Sequence, residues 1–264
     1  KEGAEALARS ELLAQLTELD LTGNHLCSQS IEILVKNGDL SQLRSLNLNF
    51  NDQQNDGMGD DALRHLAGCE TLTQLESLYL QVNSIGAVGA QHLASSENLR
   101  SLRELDLEGN LLYVDGVAVL ANASCLTGLR SLNLAGCELD DEALTILAGS
   151  DSLRPRSLDL SSNEFGDSGI EQLLRSPVLG NVARLSLGNL NLSDATIDAL
   201  VNSPFTSNLL RLSVSSTGIT ENGAMALMDP SSLPGLRELI LPYSAYNEEL
   251  RARLSERFGS LSYS

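Results

Sequence analysis

Few residues of this chain have the chemistry for catalysis or metal binding, and their spacing leaves little for them to do. His25, His65 and His92 are far apart, and none has a second His or Cys at metal-ligand spacing. Cys27, Cys69, Cys125 and Cys137 make no CxxC pair, so neither a zinc site nor a dense disulfide framework is expected. Asp52, Gln54, Asp56 and Gly57 fall at the first, third, fifth and sixth positions of a calcium loop. The pattern then fails: the third position is Gln, and Leu63 stands where a bidentate Glu is needed. The segment from Asp52 to Asp61 therefore reads as a solvated rim loop, or as a loop for contacting a partner. Nucleophile elbows, HExxH, phosphate loops and dinucleotide fingerprints are all missing from the sequence. The sequons Asn122-Ala-Ser124 and Asn191-Leu-Ser193 would matter only in a secreted chain. The expectation is a protein with no catalytic residues, no cofactor and no metal.

What remains is a pattern. Leu102-Arg-Glu-Leu-Asp-Leu-Glu-Gly-Asn110 alternates leucine with acid across Leu105 and Leu107, which puts leucines on one face of an extended segment and charges on the other. The same phrase starts at Leu16, Leu43, Leu75, Leu102, Leu129, Pro155, Val182, Leu209 and Leu236, mostly 27 residues apart. One short strand cannot bury its leucine face alone, but stacked copies can. The ninth position is Asn24, Asn51, Asn83, Asn110, Cys137, Asn163, Leu190, Thr217 and Ser244 in turn. An asparagine there pairs turn amides and carbonyls that would otherwise be buried alone, so this ladder weakens toward the C-terminus.

Each interval also carries a helical phrase, such as Gly89-Ala-Gln-His-Leu-Ala94 or Gly169-Ile-Glu-Gln-Leu-Leu174. Asp115, Asp141, Asp167 and Asp194 stand near the helix starts and are expected to cap their own free amides. On these phrases the array resembles the ribonuclease-inhibitor-like class of leucine-rich repeats, and Gly3-Ala-x-x-Leu-Ala8 looks like its bacterial variants. The resemblance implies an α/β horseshoe, a solenoid with a concave parallel sheet and outer helices. It implies protein binding as a habit of the class. The expected organisation is a single domain over 1–264: a partial repeat over 1–15, nine strand-bearing repeats over 16–264, and a capping helix at about 247–258. The opening half-unit has no strand before it, which leads to the expectation of further residues or a domain upstream.

Composition bounds the partner. The net charge of −18 disfavours nucleic acid and favours a protein with a basic patch. With no apolar run long enough for a membrane span, no leader and unpaired cysteines, a cytoplasmic location is expected. Residues flanking the strand leucines should face outward on the concave side. The candidate partner-binding residues there are Tyr79, Glu104, Asp106, Glu108, Asp159, Arg184 and Arg211. The reading is a non-enzymatic protein-binding scaffold. Its alternatives are an enzyme-regulatory protein, such as the Ran GTPase-activating proteins with similar repeats, or a substrate-recruiting module of a larger protein.

Overall fold

The structure is a computed structural model, and it describes residues 1–51, 58–229, 231–245 and 247–264. The expectations placed on Asp52, Gln54, Asp56 and Gly57 lie outside the described residues. The chain forms two compact units, Lys1–Leu132 and Asn133–Ser264.

The first unit holds helices α1 (Glu2–Ala8), α2 (Ser28–Asn37), α3 (Gly59–Ala67), α4 (Ala87–Ala94) and α5 (Tyr113–Ala121). They alternate with strands β1 (Glu18–Asp20), β2 (Ser45–Asn47), β3 (Ser77–Tyr79) and β4 (Glu104–Asp106), while β5 (Ser131–Asn133) lies at the unit boundary. Strands β1 to β4 pair in chain order, all parallel. The register sets Glu18 beside Ser45, Ser45 beside Ser77, and Ser77 beside Glu104. Leu46, Leu78 and Leu105 are thereby stacked on the inner face and buried. Leu48, Leu80 and Leu107 form the next buried row. The helix phrase completes the core, because Ala90 and Leu93 of α4 and Val117 and Leu120 of α5 point inward at helical spacing.

The second unit repeats the scheme with α6 (Asp141–Ala148), α7 (Asp167–Leu174), α8 (Asp194–Asn202), α9 (Glu221–Ala226) and α10 (Glu248–Arg257). Its strands are β6 (Ser157–Asp159), β7 (Arg184–Ser186), β8 (Arg211–Ser213), β9 (Glu238–Leu241) and β10 (Ser260–Tyr263), parallel and in chain order. The α/β repeat architecture expected from the sequence is present in each unit.

Two expectations need correction. The tenth strand, β10, carries only one strand leucine, Leu261, and lacks the nine-residue phrase, yet it pairs with β9 over four residues. The sequence also leads to the expectation that Leu7, Leu12 and Leu13, in the half-unit with no strand before it, lie at an incompletely covered end of the core; Leu12 is exposed and Leu7 half-buried, but Leu13 is 2% exposed.

The ladder works as the chemistry of asparagine demands. The Asn110 side chain is fully buried; its Oδ1 accepts from the amides of Asn83 (3.1 Å) and Ile85 (3.0 Å). Its Nδ2 donates to the carbonyls of Leu80 (2.9 Å) and Leu107 (2.8 Å). Asn51 and Asn163 make the same kind of bonds across their own repeats. Thr217 supplies only a 2.7 Å bond to the Val214 carbonyl, and Leu190 at the equivalent place is buried hydrocarbon.

The helix aspartates do something the sequence reading missed. Asp141 Oδ1 does not cap its own helix; it reaches forward to the amides of Gly166 (2.9 Å) and Gly169 (3.1 Å) at the start of α7. Asp194 likewise accepts from the Thr220 amide at 2.7 Å, and Asp60 from the Gly86 amide at 2.7 Å. Asp167 takes the Ser193 amide (3.0 Å) and the hydroxyls of Ser193 (2.6 Å) and Thr196 (2.5 Å). Burial alone would raise the Asp167 carboxyl, but those hydrogen bonds outweigh it and hold the group below the usual carboxylate range. Its folded value being the lower one, the stabilisation is complete above the unfolded value near 3.9 and is lost as pH falls through the folded value. Own-helix caps come instead from Asp140, Ser193, Thr220 and Asn247.

The forward bond explains the glycine phrase. A Cβ on Gly169 would lie 2.6 Å from Asp141 Oδ1 and 3.0 Å from its Cα, so the carboxylate could not stay where it is. Gly169→Ala is expected to destabilise the second unit by about 1–3 kcal/mol. In a thermal-melt double-mutant cycle with Asp141→Ala, the double variant should lose less than the sum of the two single losses. Full additivity would show that the carboxylate is not what the glycine makes room for.

Candidate functional site

The outward positions of each strand carry the candidate residues, and the register decides which meet. In the first unit Tyr79 stands beside Asp106, and Ser77 beside Glu104. Tyr79 Oη donates to Glu104 Oε2 at 2.8 Å, and Ser77 Oγ donates to the same oxygen at 3.3 Å. Gln81 Nε2 donates to Asp106 Oδ2 at 2.7 Å and to Glu108 Oε2 at 3.2 Å. Tyr79 and Ser77 thus hold Glu104, while Gln81, which the sequence reading did not name, holds Asp106 and Glu108; the register of β3 and β4 sets the two bonded groups side by side. Gln81 sits two residues beyond Tyr79, and that outward spacing was the signal for it.

The electrostatics follow from the donors. Partial burial raises the Tyr79 phenol above its ordinary value, and the hydrogen bond to the Glu104 carboxylate raises it further, so Tyr79 stays protonated and keeps donating. Every donor seen on Glu104 and Asp106 is a neutral group. Among the described residues the salt bridges engage other carboxylates, so no cation answers the charge of Glu104 or Asp106.

Asp106 and Asp159 also have a role in the fold. Asp106 Oδ1 accepts from the Glu108 amide (3.1 Å) and Asp159 Oδ1 from the Ser161 amide (3.0 Å), closing a turn where each strand ends. Asp20, Asn47 and Asn133 make the same bond two residues on. Where this position is Asp or Asn the side chain closes the turn, and the two asparagines show that the turn does not need its charge.

In the second unit Arg184 stands beside Arg211 in the register, and Arg211 beside Glu238. Arg211 Nη1 lies 3.3 Å from Glu238 Oε2, both side chains about half exposed, so this ion pair is weakly stabilising. Arg184 is exposed on the same face. Asp159 pairs in register with Ser186, two residues further along the strands than Ser157 and Arg184.

Another set of arginines precedes the strands. Arg44 pairs with Glu76, and Arg103 Nη1 donates to the carbonyls of Leu102 and Gly128 at 3.2 Å each. Both tie neighbouring repeats together. The larger hollows are elsewhere: one of about 800 Å³ runs between α7 and α8, lined by Asp167, Glu171, Arg175, Asp198 and Asn202. It is open, and no chemistry converges on it. Among the described residues no group of three or more His, Cys, Asp or Glu is placed to hold a metal ion. The described helices include none long and apolar enough to cross a membrane.

Comparison with known proteins is consistent with this geometry. A family described as leucine-rich repeat matches residues 126–148, 156–174 and 207–228. No curated protein sequence matches the chain. Among solved structures, the yeast complex of Rad7 and Elc1 superposes with a TM-score of 0.62 at 20% identity, over 98% of this chain and 71% of that one. A TDR receptor gives a TM-score of 0.44 at 18% identity, over 95% of this chain and 43% of that one. The family match identifies leucine-rich repeats over those three stretches, and the Rad7 and Elc1 superposition, with the register of the strands and the buried asparagines, shows the α/β repeat fold.

Proposed function

We propose that this protein is a non-enzymatic binding scaffold, and that the outward side of its first-unit sheet holds a protein partner through a basic patch. One observation carries the reading: Glu104 and Asp106 face outward with only neutral donors on them, next to a half-buried tyrosine. Carboxylates gathered on one strand repel one another, and an arriving Arg or Lys relieves that repulsion. The chain's net charge of −18 steers a basic partner and disfavours nucleic acid. Arg184 and Arg211 would meet acidic or polar groups of the partner on the second unit. The fold supports the reading as well, since the Rad7 and Elc1 structure is that of a two-protein complex. The pairing of a strand with a helix in successive units supports assignment to the ribonuclease-inhibitor-like class. Four cysteines with no disulfide support a reducing, cytoplasmic setting.

The experiment is a paired capture from the native host, with the wild-type chain and with Glu104→Gln/Asp106→Asn as baits. The variant keeps the turn acceptor that Asn47 and Asn133 show to be sufficient, and removes only charge. A partner retained by the wild type and lost by the variant is the expected result. Equal retention by both baits would place the interface elsewhere.

A further inference from the structure

From Asn24 to Thr217, the residue before each ladder position adopts a left-handed backbone. Gly23 (φ 67°), Gly109 (68°) and Gly136 (60°) do so as glycine, and Ser162, Asn189 and Ser216 as small polar residues. Two repeats depart from this: Phe50 (φ 56°) and Val82 (φ 51°) hold the same strained conformation with a bulky or β-branched side chain. Their amides make the required bonds, to the Gln81 carbonyl and the Glu108 carbonyl, each at 2.8 Å.

The strain is not offset by burial. Phe50 is 45% exposed and Val82 38% exposed, whereas the leucines flanking the ladder are fully buried. Gly109, the equivalent residue of the next repeat, leaves the space that Val82 uses: a Cβ there would lie 2.8 Å from Val82 Cγ2. The fold therefore explains neither side chain, and glycine or asparagine would serve it better. Strained residues that the fold does not require point to use by a partner. Their position says which partner. Phe50 and Val82 are joined through the backbone to Gln81 and Glu108, and Gln81 in turn bonds Asp106 and Glu108.

We propose that Phe50 and Val82 are the apolar anchor of a docking surface on the first unit. Its occupant is a protein segment that presents an apolar side chain next to an arginine or lysine. The apolar side chain covers Phe50 and Val82, and the cation meets the acidic cluster of β4. This inference rests on the proposed function, deepening it from a basic patch to a mixed apolar and basic motif.

The probes are fluorescent peptides with Arg-Phe-Arg, Arg-Ala-Arg or Glu-Phe-Glu between Ser-Gly flanks, titrated by anisotropy. Arg-Phe-Arg should bind the wild-type chain about tenfold more tightly than Arg-Ala-Arg, and Glu-Phe-Glu should not bind. Phe50→Asn/Val82→Gly should bring Arg-Phe-Arg down to the affinity of Arg-Ala-Arg, leaving the latter unchanged. Glu104→Gln/Asp106→Asn should weaken both. If Arg-Phe-Arg and Arg-Ala-Arg bind alike and both depend on the carboxylates, the anchor is wrong while the acidic face stands. If neither peptide binds, or neither depends on the carboxylates, both readings fall. Stability gives a check that needs no ligand: Phe50→Asn/Val82→Gly should raise the melting temperature by roughly 2–6 °C as strain is released. A lower melting temperature would show that the fold needs these side chains, and dimerisation lost in the variant would name a second copy as the occupant. Either result overturns the proposal.

Discussion

Asn110→Ala should lower the stability of the first unit by about 3 kcal/mol, and Thr217→Ala that of the second by about 1 kcal/mol. The difference follows from what each side chain satisfies. Asn110 serves two amides and two carbonyls in a fully buried place, and alanine would remove its bond to each of the four. Thr217 serves one carbonyl in a partly buried place, where solvent can substitute. In a chain of this size the first change corresponds to a melting-temperature drop of roughly 6–12 °C, the second to roughly 2–4 °C. Neighbouring repeats share these bonds, so hydrogen exchange in Asn110→Ala should accelerate at Asn83 and Ile85 before it does at α1. Equal losses in the two variants would mean that the ladder does not carry this stability.

The second large effect concerns association. Once a partner is in hand, Tyr79→Ala should weaken binding by more than tenfold, which is about 1.4 kcal/mol or more. Tyr79 is half-buried and holds Glu104 Oε2 in place, so its loss removes contact area and frees the carboxylate. Tyr79→Phe separates the two, keeping the ring and removing the hydroxyl. Glu104→Gln/Asp106→Asn should weaken binding further and flatten its dependence on salt, because the lost interaction is Coulombic. The lysine replacements Glu104→Lys and Asp106→Lys should abolish binding, but Asp106→Lys also removes the turn acceptor and so tests less cleanly. Unchanged affinity in Tyr79→Ala and in the neutralised pair would exclude this face.

Sequence alone carried the architecture because a period of 27 residues repeats the same burial problem. Leu78 and Leu105 must be inside wherever the phrase recurs, and they are. Asn51, Asn83 and Asn110 were legible for the same reason, since a buried amide in a turn has a single use. The tenth strand was not legible: Ser260–Tyr263 joins the sheet through backbone bonds to β9, which need no particular side chain. Nor were the aspartates fully readable. At a helix start, Asp141 has the composition of an ordinary cap, and only the geometry shows it bonding the next helix instead. Asp106 and Asp159 have the same limitation. A carboxylate facing outward looks identical in sequence whether it awaits a cation or closes its own turn, and Asn47 and Asn133 reveal the turn only once the bonds are seen. Phe50 and Val82 are not legible as strained positions, because a left-handed backbone cannot be read from a hydrophobic residue.

The most direct test of the central claim is an unbiased selection from a displayed random-peptide library, run in parallel on the wild-type chain and on Glu104→Gln/Asp106→Asn. The account predicts enrichment of arginine- and lysine-bearing sequences on the wild type, and loss of that enrichment on the variant. Sequences enriched without basic residues, or enriched equally on both proteins, would contradict it.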